Sequence, residues 1–245
     1  MKRVRLTVAY DGTNYHGWQI QNNGITIESE LNRCLSELLH EEIHVIGASR
    51  TDSGVHALGN IAVFDTDARI PGEKISYALN QRLPEDIRIQ HSEEVASDWH
   101  PRHVESRKTY EYRIYRSEFP MPVKRLYSYF TYRSLQVEVM REAAEYLVGE
   151  HDFKSFCQTG AQVETTVRTI YALDVLEQEA DLVVRVCGNG FLYNMVRIIA
   201  GTLLEIGEGK YLPEKMKEIL ERRDRSAAGP TAPAQGLTLV KYEFL

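Results

Sequence analysis

Several things that would narrow the class of this 245-residue chain at once are scarce in it. It holds three cysteines, Cys34, Cys157 and Cys187, widely spaced and with no C-x-x-C pair. That excludes a disulfide framework and suits a reducing compartment, with each thiol a small hydrophobe. No apolar run approaches the roughly 20 residues of a membrane span. The longest candidate, residues 195–204, is interrupted by Arg197. The amino terminus, "MKRVRLTVAYDG", turns polar too soon for a secretory signal, so a soluble, cytoplasmic protein with no membrane partner is expected. The eight histidines form no H-E-x-x-H, and "GEGK" is not part of a G-x-x-x-x-G-K-[ST] motif. Neither a metal site nor a phosphate-cradling loop is therefore expected.

What is present is an ordinary globular composition, 43% apolar and 26% charged. The length allows one large domain or two modest ones. The net charge of -6 is only a weak argument against nucleic acid, because binding depends on where cations cluster. They cluster in "HPRHVESRKTYEYRIYRSEFPMPVKR", where Arg102, Arg107, Lys108, Arg113, Arg116, Lys124 and Arg125 are interleaved with tyrosines. Acids gather elsewhere, in "SEEVASD" and "VLEQEAD". Cations among aromatics suit phosphate contact and base stacking, with Arg113 and Lys124 expected on phosphates. The same pattern also suits the solvated face of an antiparallel strand.

Hydrophobic periodicity outlines the fold. "RVRLTVAYDG" alternates with period two, which puts Val4, Leu6 and Val8 on one buried strand face. "TIESELNRCLSELLHE" has helical spacing through Ile27, Leu31, Cys34, Leu35 and Leu38. "EIHVIGA" and "NIAVFDT" predict strands, "IPGEKISYALNQRL" a helix with Pro71 in its first turn, and "DIRIQHSEEV" a strand. Downstream, "TYEYRIYR" predicts a strand and "SLQVEVMREAAEYLVG" a helix closed by Gly149. "VRTIYALDVLEQ" and "ADLVVRVCG" predict paired strands. "GFLYNMVRIIAGTLLEIG" predicts a buried helix, "LPEKMKEILERRD" an amphipathic one, and "GLTLVKYEFL" a closing strand. The expected class is α+β: two ferredoxin-like halves whose antiparallel or mixed sheets form a central sheet, with helices on its outer face and an active-site cleft. The expected domains are 1–104, carrying the aspartate loop, and 105–245, joined near residues 99–106.

The segment "ASRTDSGVHA" sets Arg50 and Asp52 two residues apart after an apolar run. In extended backbone they share a face and can pair, and a fixed guanidinium keeps the neighbouring acid ionised. An ionised carboxylate held in a cleft can act as a nucleophile or stabilise a cation. A turn with a surface ion pair is the simpler reading of the pattern alone. His56 reads as a structural hydrogen-bonder, since a carboxylate nucleophile needs no base. Tyr110 and Tyr112 share a strand face, where a ring can stack on a base or fill the core. Arg197, inside an apolar helix, requires a carboxylate or phosphate partner.

Six collinear blocks, "YDGTNYHGWQIQ", "SRTDSGVHALGN", "SRKTYEYRIY", "GEHDFKSF", "GFLYNMVRIIAGTLLEIGEG" and "TAPAQGLTLVKYEF", resemble the tRNA pseudouridine synthase A family. Ser53, Asn60 and "WHPR" are mild departures that spare the aspartate. The resemblance implies isomerisation of uridine to pseudouridine in the tRNA anticodon stem-loop, with no cofactor, by a homodimer. It implies that Asp52 is the catalytic aspartate, acting at C1′, at C6 or through a glycal. Tyr110 would stack on the target base or serve in removing the C5 proton, and Arg50 and Arg197 would serve near the aspartate in ion pairing and contact with the flipped nucleotide. Two rivals remain, a non-catalytic RNA-binding module and a nucleoside glycosidase.

Overall fold

The alternation in "KRVRLTVAY" becomes strand β1, Lys2–Tyr10, with Val4, Leu6 and Val8 fully buried in the computed structural model of the chain. The structure describes residues 1–160, 163–178 and 181–245, which fall into two units. One comprises Met1–Ser106 and Leu239–Leu245, the other Arg107–Thr238.

In the first unit the order is β1, α1 (Ile27–Leu39), β2 (Ile46–Gly47), β3 (His56–Thr66), α2 (Gly72–Leu79) and β4 (Ile87–Val95). The strands lie in the order β4-β1-β3, with the closing strand Leu237–Phe244 next to β3. β1 pairs antiparallel with both neighbours, Leu6 standing opposite Ala62 and Ser92. Helix α1 starts in a capping box: Thr26 Oγ1 accepts from the Ser29 amide, and Ser29 Oγ accepts from the Thr26 amide. Its buried stripe ends on Leu39, while the expected Leu38 is only half-buried.

Two expectations about secondary structure are corrected in this unit. The strand expected over "EIHVIGA" shrinks to Ile46–Gly47. Helix α1 takes its backbone donors instead: the Ile43 amide goes to Ser36 Oγ (2.9 Å) and the Val45 amide to Asn32 Oδ1 (2.8 Å). Pro71 is the N-cap of α2 rather than a first-turn residue. Residues 99–106, where the joint is expected, lead up to the unit boundary after Ser106 and are tied by Trp99 O accepting from Arg3, Pro101 O from Tyr242, and Tyr242 Oη from Ser106.

The second unit carries β5 (Ser106–Arg116, of which Ser106 counts with the first unit), β6 (Tyr129–Thr131), α3 (Val137–Glu145) and β7 (Gly149–Asp152). It continues with β8 (Val167–Gln178), β9 (Asp181–Gly188), α4 (Met195–Gly207) and α5 (Lys215–Arg222). Its strands run β5-β9-β8-β7 in antiparallel register, and the short β6 pairs parallel with β5. β8 and β9 pair as expected; Ala180, which heads the expected second strand, and Glu179 of the acidic cluster lie outside the described residues. Helix α3 is shorter than its apolar spacing suggested. Leu135 and Leu147 are buried but flank it, and its C-cap is Tyr146. Gly149, at φ 112°, turns the chain into β7 instead of capping the helix. In α4 every residue but Arg197 and Glu205 is buried, although "GFLYN" precedes the helix rather than opening it. Among the described residues no helix is long and apolar enough to cross a membrane.

Candidate active site

Asp52 rides the loop between β2 and β3, and almost every residue of that loop is tied down within the first unit. The Ala48 amide donates to Ile61 O (2.8 Å) and Asn60 Nδ2 to Ser49 O (2.9 Å). Thr51 Oγ1 lies 2.7 Å from Tyr10 Oη, and Thr51 O accepts from the Trp18 amide (3.0 Å). The Val55 amide closes a turn onto Asp52 O at 3.1 Å. Ser53 Oγ and the Gly54 amide both donate to Tyr15 O, with Gly54 at φ 77°. Gly17 makes the contact with this loop close, since a Cβ there would stand 2.6 Å from Thr51 O.

Burial alternates along the loop. Ser49 and Thr51 face inward, Arg50 is exposed and Asp52 half-buried. Arg50 and Asp52 thus share the outer side, as their spacing predicts. The charge of Arg50 bears on Arg102, whose Nε donates to Gly47 O at 2.8 Å. Partial burial first, and Arg50 second, hold the Arg102 guanidinium below its usual range. His56 is buried, with Nδ1 accepting from the Gly12 amide and 3.1 Å from Asp11 Oδ1, which suits the structural role expected of it.

In the second unit, Tyr110 stands on β5 opposite Val186, 8% exposed, with its ring edge-on to Phe191 at 5.3 Å. Tyr112 is fully buried and donates to Pro233 O (2.9 Å). Burial pushes its hydroxyl pKa up, partly offset by Arg197. Of the two tyrosines, Tyr112 is the one committed to the core. Arg197 projects from α4, with Nε donating to Ala232 O and Nη1 to Asn194 Oδ1, both at 2.8 Å. Two of its donors thus meet neutral oxygens. The Ala232 amide returns to Arg197 O, and Gly201, one turn on, lies so close to Pro230 O that a Cβ would stand 1.9 Å away.

The basic segment is partly spoken for. Arg113 and Arg185 both bond to the buried carboxylate of Glu111, which must be paired to be buried. Lys124 bonds to Asp181 at 2.6 Å, and Arg116 to Glu177. Arg113 and Lys124, expected on phosphates, are thus engaged within the fold. Arg107 is exposed, its guanidinium 4.8 Å from the Tyr171 ring centroid. Tyr10, Trp18, Asn60 and Phe191 went unnoticed as site residues. Tyr10 alone left a signal, as the last inward position of the β1 alternation. Among the described residues no three His, Cys, Asp or Glu side chains are grouped to hold a metal ion.

The family described as tRNA pseudouridine synthase matches residues 6–103 and 143–244. A relative in Ruminiclostridium cellulolyticum, named tRNA pseudouridine synthase A, is 50% identical over the whole of both chains. Proteins of the same name in Clostridium acetobutylicum and Acetivibrio thermocellus are 48% and 47% identical, again over the whole of each chain. A chain of the archaeal box H/ACA sRNP Nop10-Cbf5 complex is similar over 92% of this chain and 60% of its own, at 12% identity. Its TM-score of 0.37 is too slight a likeness to bear on fold or function.

Proposed function

The chain belongs to the tRNA pseudouridine synthase family, and from that premise we propose that it isomerises uridines of the tRNA anticodon stem-loop, with Asp52 as the nucleophile. The C1′–N1 bond breaks, the uracil turns, and C5 joins C1′. The C5 proton leaves and N1 gains one, so the atoms balance without oxidant or co-substrate. Asp52 acts by attack at C1′, by attack at C6, or by assisting a glycal route, and each needs a carboxylate held still beside the nucleotide. Tyr110 stacks on the target base, and Arg50 and Arg197 contact the flipped nucleotide, whose extrusion a cation helps to compensate.

The observation that carries this reading is likeness over the full length of the chain; the half-buried aspartate on a loop held by hydrogen bonds supports it. Arg107 on Tyr171 supplies an exposed cation-aromatic contact of the kind an RNA strand uses. The same reading makes the enzyme a cytoplasmic homodimer. The buried free thiols of Cys34 and Cys157 agree with the first part, and sedimentation of the purified protein tests the second.

One assay decides between the chemistries: tritium release from tRNA labelled at uracil C5. A synthase releases tritium and keeps the base attached to the ribose. A glycosidase would liberate uracil, and a binding module would do neither; either outcome would end this reading.

A further inference from the structure

Beneath the aspartate loop lies a buried polar chain whose direction can be worked out atom by atom. Asn60 on β3 is fully buried. Its Oδ1 accepts from the Ile61 amide, and its Nδ2 donates both to Ser49 O (2.9 Å) and to Tyr10 Oη (3.3 Å). Tyr10 Oη accepts from Asn60, so its own hydrogen is the one that points to Thr51 Oγ1, 2.7 Å away. Burial pushes the Tyr10 pKa upward and keeps that hydrogen in place. The β1–β3 ladder slips by a residue between Val8, opposite Asn60, and Tyr10, opposite Ala57. Such an irregularity re-aims a side chain, and here it stands beside the loop.

The bonds land on Ser49 and on Thr51, the residues flanking Arg50, and Thr51 directly precedes Asp52. We propose that Asn60 and Tyr10 are positioning residues, holding the backbone at Ser49 and Thr51 so that the Asp52 carboxylate meets its substrate already oriented. The inference rests on the reading of Asp52 as the nucleophile. It assigns no contact with RNA to either residue. Loss of the chain should therefore slow the chemical step and leave tRNA affinity alone, since displacing a reacting group is costly in rate but not in remote binding.

The test compares Tyr10→Phe, Thr51→Val, the double variant and Thr51→Ser in steady-state tritium release, with melting temperatures as a check on folding. Tyr10→Phe and Thr51→Val should each lower kcat by about tenfold or more, with KM for tRNA within about twofold of the parent. The double variant should be little worse than either single one, because both delete the same bond. Thr51→Ser, which keeps the hydroxyl, should restore most of kcat. A folded Tyr10→Phe enzyme with parental kcat would overturn the proposal. So would a loss confined to KM, or a Thr51→Ser variant as slow as Thr51→Val. If Tyr10→Phe does not fold, Thr51→Val against Thr51→Ser decides alone. Hydrogen exchange at the Trp18 and Val55 amides gives a readout independent of turnover, and Tyr10→Phe should quicken it. A parent enzyme that releases no tritium at all sinks the functional reading, and exchange unchanged in Tyr10→Phe then sinks the positioning role separately.

Discussion

Asp52 sits on a loop without regular structure and is placed by hydrogen bonds, whereas Arg197 sits on a helix placed by packing. In the loop, bonds with Asn60, Tyr10, Trp18 and Tyr15 reach the chain at separate points. Around Arg197 the backbone of residues 229–232 lies against the helix, with Gly201 closest to it. The two designs fail differently. A hydrogen-bonded loop is vulnerable to losing one atom, while a close-packed helix is vulnerable to gaining one.

The largest effect should come at the carboxylate itself. Asp52→Asn keeps the shape of the loop and should cut tritium release by about a thousandfold or more while tRNA binding survives in filter assays. Substantial turnover in this variant would remove Asp52 from the mechanism. On the packed side, Gly201→Ala puts the comparison at its sharpest. In an exposed helix that change gains about 1 kcal/mol. Here the added methyl meets Pro230 O, and overpacking should cost about 1–3 kcal/mol in urea unfolding. A stabilised Gly201→Ala protein would show that the helix is not held by close approach.

Smaller effects separate engaged cations from available ones. Arg107→Ala should flatten the dependence of tRNA affinity on salt by about one unit of slope. Lys124→Ala, which frees Asp181, should leave that slope unchanged. Smallest of all is a pH effect. Arg3 holds the Asp65 carboxyl below its usual range, so the pair's contribution is complete at neutral pH. It fades as pH falls through the ordinary carboxylate range, about 4, toward the depressed folded value. Asp65→Asn should therefore lose less of its melting temperature than the parent does between about pH 7 and about pH 3.

What could be read from the sequence follows from how each part is specified. Strands such as β1 and β8 and the helix α1 carry their own burial period, so they were legible. β2 was misjudged because Asn32 and Ser36, on another element, take its backbone donors. Arg113 and Lys124 looked available because their partners, Glu111 and Asp181, are chosen by strand register and side-chain reach, which charge counting cannot reveal. For the candidate site, local pattern left Asp52 as one more turn acid, and the order of six separated blocks distinguished it. The Asn60–Tyr10–Thr51 chain was invisible for a plain reason: it joins residues 41 and 50 positions apart, and none of them stands out by type.

Between Ala48 and Gly54, Arg50 is the residue to which no hydrogen bond is made among the described residues. A chain clamped on both sides of a single position behaves like a hinge pin in a fixed bracket. The arginine can swing through its rotamers while the peptide planes beneath it stay put. Movement of the cation is thereby uncoupled from the aim of the carboxylate two residues on. In relaxation measurements the Arg50 side chain should be mobile on the nanosecond scale while the Asp52 amide is as rigid as the sheet beside it.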